Sequence, residues 1–411
     1  MIQPVDEKRS RRGLIGKLFG STVAAQAAAL VATTIAATRA EPADFARYAA
    51  VFAVMSVVAS VNSVAVETRV PVTSGVVRAA MMRVGTTTVL LCSAVVFAGS
   101  LLLLGSHRDV AVNGIFLAAG TAAISLVSLL IALAIRFHRQ DLLALNRVVQ
   151  GLSNAMLIST VIWTSLPGYV VLLGSFVVST ILGGLAMMRG LPRAAAYLRI
   201  ARRSDWAVTM RQVGMQPLTN LFANLGTALP PILLPVLGTV EIAGVWALAS
   251  RFLNAVVSMV QSTVGPMYIG DVAGAVRGQA RDKVARVHNA WLRRLGLLVI
   301  PMIAGTIAGI NVIIPLLGSQ WTNAGQITIP ACLSFTALLV WLPTSQCLVL
   351  LGRTKTEFWW TACYVVCTLT PLLSMTKIGT VPGLTVWSVS QVAVILAHIW
   401  LQRRAITTLN W

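Results

Sequence analysis

"GVWALASRFLNAVVSMVQSTVGP", residues 244–266, is apolar enough to cross a bilayer as one helix. It nevertheless carries Arg251, Asn254, Ser258, Gln261 and Ser262 along its length. A membrane helix takes about 20 mostly apolar residues, and a polar side chain facing lipid is penalised, so such a row should face a water-filled cavity or a neighbouring helix. Arg251 enters this stretch about 13 Å from the expected outer surface at 1.5 Å per residue, near the limit of snorkelling. It either lines a cavity for an anionic ligand, snorkels, or pairs with an acid from another helix.

The rest of the chain repeats the pattern. Of its 411 residues 57% are hydrophobic and 11% charged, with mean hydropathy +0.81, which is the signature of a polytopic all-α membrane protein. Twelve apolar runs predict transmembrane helices at 14–38, 45–66, 84–104, 110–135, 142–164, 167–188, 213–237, 242–270, 292–317, 327–351, 357–375 and 380–401. The net charge of +20 would suggest nucleic acid in a soluble protein. Here the basic residues follow topology: with the N-terminus inside, 27 Lys and Arg fall in inside segments and four outside, Arg251 being the remaining one of 32. Both termini are therefore expected in the cytoplasm, and no nucleic-acid partner is expected.

Residues 189–206 and 271–290 form the longest polar connections, both on the inside. Val276, Ala280, Val284, Val287 and Trp291 recur at helical spacing opposite Arg277, Arg281, Lys283 and Arg286, which predicts a helix lying on an anionic inner leaflet. The five cysteines lie within apolar runs and imply neither disulfides nor a metal site. His398, the histidine deepest in a span, reads as a hydrogen-bonded packing residue. No cofactor motif is present; in particular there is no phosphate-binding Gly-x-x-x-x-Gly-Lys-[Ser/Thr] loop.

"ADFARYAAVFAV" (43–54) and "VEIAGVWALASR" (240–251) occupy equivalent places in two halves of six helices. An even number of helices gives both halves one orientation, hence a parallel repeat about a pseudo-two-fold along the membrane normal. The division expected is a lobe at 1–188, a basic cytoplasmic linker at 189–212 and a second lobe at 213–411. Polar stripes mark the first two helices of each half: Thr22, Gln26 and Thr33; Ser56, Ser60, Ser63 and Glu67; Gln212, Gln216, Asn220 and Asn224; and the opening row. For the Ser and Thr members alone, helix-to-helix hydrogen bonding is the simpler reading.

With these residues located, the chain resembles the polysaccharide-biosynthesis flippases, the oligosaccharide-lipid branch of the superfamily that also holds multidrug extruders and lipid II flippases. The resemblance lies in "RAEPADFARYAAVFA" (39–53), "GVWALASRF" (244–252), "LLGSQWTNAGQ" (316–326) and "LVLLGRTK" (348–355), with Ala40, Glu41 and Ala46 departing from the family pattern. It implies two six-helix lobes around a cavity lined by helices 1, 2, 7 and 8, and a transported polyprenyl-diphosphate-linked oligosaccharide. It also implies a place in the bacterial cytoplasmic (inner) membrane, with membrane lipids and other polysaccharide-assembly proteins as partners. Substrate contacts would come from Arg251, Asn254, Ser258, Gln261, Gln212, Gln216, Asn220, Asn224, Gln26 and Glu67. A cation-coupled multidrug extruder should carry an acid deep in the first span, and residues 14–38 have none. A membrane glycan polymerase or glycosyltransferase should carry a catalytic acid or nucleotide-sugar site in a sizeable loop, and the outer loops are about ten residues or shorter; an enzyme is not expected.

Overall fold

The computed structural model describes residue 20 and residues 23–408, apart from 74, 104–107, 138, 161–162, 192–196, 198 and 318. The basic N-terminal segment, the expected start of the first span and Thr22 lie outside the described residues. Among those described the fold is all-helical. Its elements are α1 (Val23–Ala37), α2 (Pro42–Asn62), α3 (Gly75–Leu102), α4 (Arg108–Arg136), α5 (Gln140–Ser159), α6 (Gly168–Gly190), α7 (Arg203–Val213), α8 (Gln216–Leu237), α9 (Val240–Arg277), α10 (Arg281–Leu317), α11 (Thr328–Thr344), α12 (Thr354–Ile378) and α13 (Thr380–Thr407). Ten of these are long and apolar enough to cross a membrane; α1 and α5 occupy the two remaining expected spans.

The chain clusters into two compact units, residues 1–40 with 48–224, and residues 41–47 with 225–411. In the first, α2 stops at Asn62 because Val64 and Ala65 take left-handed conformations at φ 57° and 53°. A β-branched residue rarely does so. The chain then turns through the 3-10 segments Val66–Thr68 and Val70–Val72. Ala65, Val66 and Val70 pack into an apolar core with Met81, Met82, Leu129 and Leu133, and that burial holds the strained turn. Gly85 permits it, since a Cβ there would lie 2.7 Å from the Val66 side chain.

The described part of the expected linker is ordered by polar contacts. Arg83 of α3 forms a bidentate pair with Asp205 in the first turn of α7, at 2.7 and 2.8 Å. The Arg202 backbone N–H donates to the same carboxylate, and the Ala201 N–H donates to Thr87 Oγ1. Asp205 is held below the ordinary carboxylate range, first by the Arg83 hydrogen bonds.

In the second unit, α9 and α10 contain 38 and 37 residues, about 57 and 55 Å at 1.5 Å per residue against a hydrocarbon core of about 30 Å. The expected helix on the inner leaflet is therefore absent. Residues 271–277 continue α9 and residues 281–290 begin α10, joined by a turn in which Gln279 has φ 50°. The valine stripe meets protein instead of lipid. Val284 is fully buried with Tyr268, Val272, Ala275, Cys347 and Ile406, and Val276, Val287 and Trp291 pack against that cluster. Tyr268 Oη bonds His288 Nδ1 at 2.8 Å, and Trp291 Nε1 donates to Asp271 at 3.0 Å, fastening the two helices side by side.

The Arg83–Asp205 pair gives a test. Because the folded Asp205 titrates below its unfolded value, its contribution is present above the ordinary carboxylate range and is lost as pH falls through the folded value. Arg83→Gln leaves Asp205 without its main partner, so hydrogen exchange across residues 201–213 at pH 7 should accelerate by about tenfold or more. Exchange equal to the native protein's would show that α7 is held by packing alone.

Candidate functional site

Helix α9 begins where Thr239 Oγ1 accepts the Ile242 N–H at 3.3 Å, with Glu241 in the first turn favouring the positive helix end. Leu253, Ala255, Val257 and Val260 are buried on its packed sides. Along another side, Asn254 and Gln261 are exposed and Arg251 and Ser258 half-buried. Asn254 is about 21 Å along α9 from its start, so an exposed amide group stands at the depth of the hydrocarbon. No lipid chain can satisfy it, and water or a polar ligand must. The Ser258 hydroxyl donates to the Ala255 carbonyl at 3.1 Å, and the side chain of Ser262 is outside the described residues.

The stripe of α8 is a ladder. Gln216, buried, donates to Asn220 Oδ1 at 3.0 Å, and Asn224 donates to the Asn220 carbonyl at 2.9 Å. Gln212 is not part of it. It lies exposed on α7, across a break at Gly214, whose φ of +56° favours glycine. Gln26 is half-buried on α1, and Thr33 is fully buried with its hydroxyl on the Ala29 carbonyl. On α2 the serines behave as the simpler reading has it, Ser56 and Ser60 donating to carbonyls of Phe52 and Val57.

Glu67 departs from its expected helical stripe because α2 has already ended. Its carboxylate accepts the Ser63 hydroxyl across the left-handed turn, and burial raises its proton affinity above the usual carboxylate range, outweighing that bond. The charged side chains of the adjoining helices are engaged elsewhere: Arg83 with Asp205, Arg78 with Tyr197 Oη, and Arg136 with the Pro71 carbonyl. The candidate residues thus divide. Gln26, Glu67, Gln212, Gln216, Asn220 and Asn224 belong to the first unit, and Arg251, Asn254, Ser258 and Gln261 to the second.

Within the second unit, residues of the motifs that carried the resemblance make close packing contacts. Phe45 sets its edge on Trp321, ring centroids 5.5 Å apart, and both are fully buried. Gly244 lies against Pro42 so closely that a Cβ would come within 2.0 Å of the Pro42 carbonyl oxygen. Gly352, at φ +74°, turns the chain between the short helix Cys347–Leu350 and α12, where the Arg353 N–H donates to the Leu348 carbonyl at 2.8 Å. Pro42, Phe45, Gly244, Trp321 and Gly352 in these stretches serve packing and turning, while Arg251, within 244–252, is the candidate ligand-binding side chain among them.

Sequence reading did not find a buried polar network linking α11, α12 and α13. Trp341 Nε1 donates to His398 Nδ1 at 2.9 Å, so the imidazole hydrogen sits on Nε2 and points at Glu357 Oε2, 2.9 Å away. Trp360 stacks on the ring at 3.9 Å. Further along, Ser334 donates to Gln391, and Gln391 donates to Tyr364 Oη at 2.8 Å. His398 is buried and hydrogen-bonded through both ring nitrogens. Its partner Glu357 is 41 residues away, with no local signal joining them. Among the described residues no three His, Cys, Asp or Glu side chains come together as metal ligands.

No protein-family model matches the chain, and no curated protein matches it in sequence. Its fold is that of solved transporters of the MOP superfamily. It superposes on a multidrug resistance MATE family transporter in an inward-facing conformation with TM-score 0.66 and 12% identity, over 93% of this chain and 94% of that one. The lipid II flippase MurJ in an inward closed conformation gives TM-score 0.69 and 13% identity, over 93% and 87%. A mutant of the Vibrio cholerae MATE transporter VcmN gives 0.60 and 16%, over 98% and 99%.

Two substitutions probe these sites. Gly244→Ala forces the Pro42 backbone to move and should destabilise the folded protein by about 1–3 kcal/mol, whereas Gly270→Ala on the same helix, with nothing within 4 Å, should be neutral or stabilising by up to about 1 kcal/mol. Equal thermal midpoints for the two in detergent would refute the close approach. For Glu67, a folded proton affinity above the unfolded one means stability falls as pH rises through the interval between them. Glu67→Gln should therefore flatten the fall in thermal midpoint as pH rises above the ordinary carboxylate range, and a slope unchanged by the substitution would show that burial does not govern this carboxyl.

Proposed function

We propose that this chain is a flippase that carries a polyprenyl-diphosphate-linked oligosaccharide across the bacterial cytoplasmic (inner) membrane by alternating access, without covalent chemistry. The observation that supports it most is the polar face of α9, where Asn254 and Gln261 are exposed at bilayer depth beside Arg251 and Ser258. An arginine fork suits a diphosphate through paired donors, and amides suit sugar hydroxyls, which both donate and accept. Within the first unit, Gln26, Gln212, Gln216, Asn220 and Asn224 are the further amides proposed to contact the sugars. The lipid tail stays in the bilayer throughout. The 27-to-4 partition of basic residues supports N- and C-termini in the cytoplasm, where other polysaccharide-assembly proteins would deliver the substrate.

A second reading, a cation-coupled multidrug extruder, draws on Glu67, a buried acid in the first unit whose carboxylate accepts the Ser63 hydroxyl. It requires transport of organic cations that Glu67→Gln abolishes.

Arg251 separates the readings. If it binds the diphosphate, Arg251→Ala should reduce glycan export by about 10- to 100-fold, the scale of one or two charge-assisted hydrogen bonds, with membrane levels near normal. Arg251→Lys should recover only part, because a point charge lacks the paired geometry. Export and lipid-linked intermediates would be measured in cells whose own transporter is deleted. Undiminished export by a well-expressed Arg251→Ala protein would overturn the binding role; loss of folded protein restored by lysine would make the residue structural.

A further inference from the structure

At one end of the second unit three helices can be set in common register from their contacts. Helix α10 runs toward the membrane as α13 runs away from it: Val284 shares a cluster with Ile406, and His288 lies within electrostatic reach of Arg403. One turn further, the same register places Trp291 level with Trp400. Helix α12 is tied to α13 by Glu357 to His398 and by Trp360 Nε1 to the Val394 carbonyl, which places Lys355 at that level too.

Exposed side chains change character across this plane. On one side the exposed surface is aliphatic: Leu297, Leu298 and Ile300 on α10 and Leu396 and Val389 on α13. At the plane and beyond it the exposed charges are mainly basic, Arg281, Lys283, Arg286, Lys355, Arg403 and Arg404 outnumbering the acids Asp271 and Asp282, while Arg293 and Arg294 sit at the boundary turn. Trp400 is exposed, and Arg404 lies over its ring at 5.4 Å; Arg294 lies over Trp291 at 5.1 Å. Stacking holds each guanidinium by its face and leaves its N–H edges free to donate.

We propose that this end of the second unit is a collar that binds anionic phospholipid headgroups through Arg286, Arg293, Arg294, Lys355, Arg403 and Arg404. A bilayer lipid fits better than a soluble anion because the aliphatic surface begins within one turn of the arginines. A molecule whose phosphate meets them therefore lays its chains on Leu297 and Leu396. Several cations at one level of the unit favour an anionic over a zwitterionic headgroup. The collar is independent of which substrate the protein carries.

The test uses the purified full-length protein, titrated in detergent with phosphatidylglycerol or phosphatidylcholine of matched chains, with bound lipids counted by native mass spectrometry. Phosphatidylglycerol should be retained about fivefold more strongly or better, weakening as salt is raised. Replacing the six residues by glutamine should remove the preference, and replacing the five arginines by lysine should keep most of it. Equal retention of both lipids by the native protein, or a preference undiminished in the glutamine variant, overturns the collar. So does displacement of phosphatidylglycerol by glycerophosphate at equal concentration, which would mark a site for soluble anions. Should the sixfold variant fail to insert, Arg403→Gln with Arg404→Gln, at the last turns of α13, should lower the preference by about half; an unchanged preference there has the same force.

Discussion

A polar group at the depth of the hydrocarbon has to be satisfied by protein or by water, because lipid chains offer nothing. Every polar residue in the long helices falls under this constraint, and three ways of meeting it are visible, although Asn62, Asn113 and Asn146 keep buried polar atoms without a partner. Hydroxyls such as those of Thr33, Ser56 and Ser60 turn back onto carbonyls of their own helix. The larger groups of α11, α12 and α13 satisfy one another, as in the run from Ser334 through Gln391 to Tyr364 and the contact of His398 with Trp341 and Glu357. The amides of Asn254 and Gln261 are exposed and so call for water or a ligand. Function is sought where the constraint is met from outside the protein.

Packing follows from the same economy. Apolar burial does little to bring helices together in lipid, so close approach and shape carry more of the load. Gly244 against the Pro42 backbone and Gly226 against the Tyr364 ring, where a Cβ would come within 2.2 Å, are places where a missing side chain sets the distance between elements. Phe45 on Trp321 supplies the complementary bulk.

The fold was largely legible in the sequence because the bilayer imposes a length and hydropathy records it. Less legible was anything decided by what a face meets. The periodicity of Val276, Val284 and Val287 is the same whether the stripe lies on lipid or on Tyr268 and Ile406, and only the contacts distinguish a surface helix from two long ones in a hairpin. Nor did the end of α2 announce itself, since Val64 and Ala65 carry no turn signal and adopt left-handed geometry through the burial of Ala65 and Val66. The polar row of α9 was legible as a row, whereas the detachment of Gln212 could have been read from Gly214 with Pro217 behind it. The partnership of Glu357 with His398 joins distant parts of the chain, which periodicity cannot reveal.

The length of α9 and α10 has a mechanical consequence. Two rods of about 57 and 55 Å, fastened to each other through Tyr268 and His288 and to α13 through Ile406, behave as one lever whose tip stands clear of the hydrocarbon. A tilt of roughly 10° about its far end would sweep that tip through about 10 Å, a displacement of the kind that rigid-body rocking produces. The hairpin is thus a handle: a rearrangement too small to follow inside the membrane is magnified at the turn around Gln279.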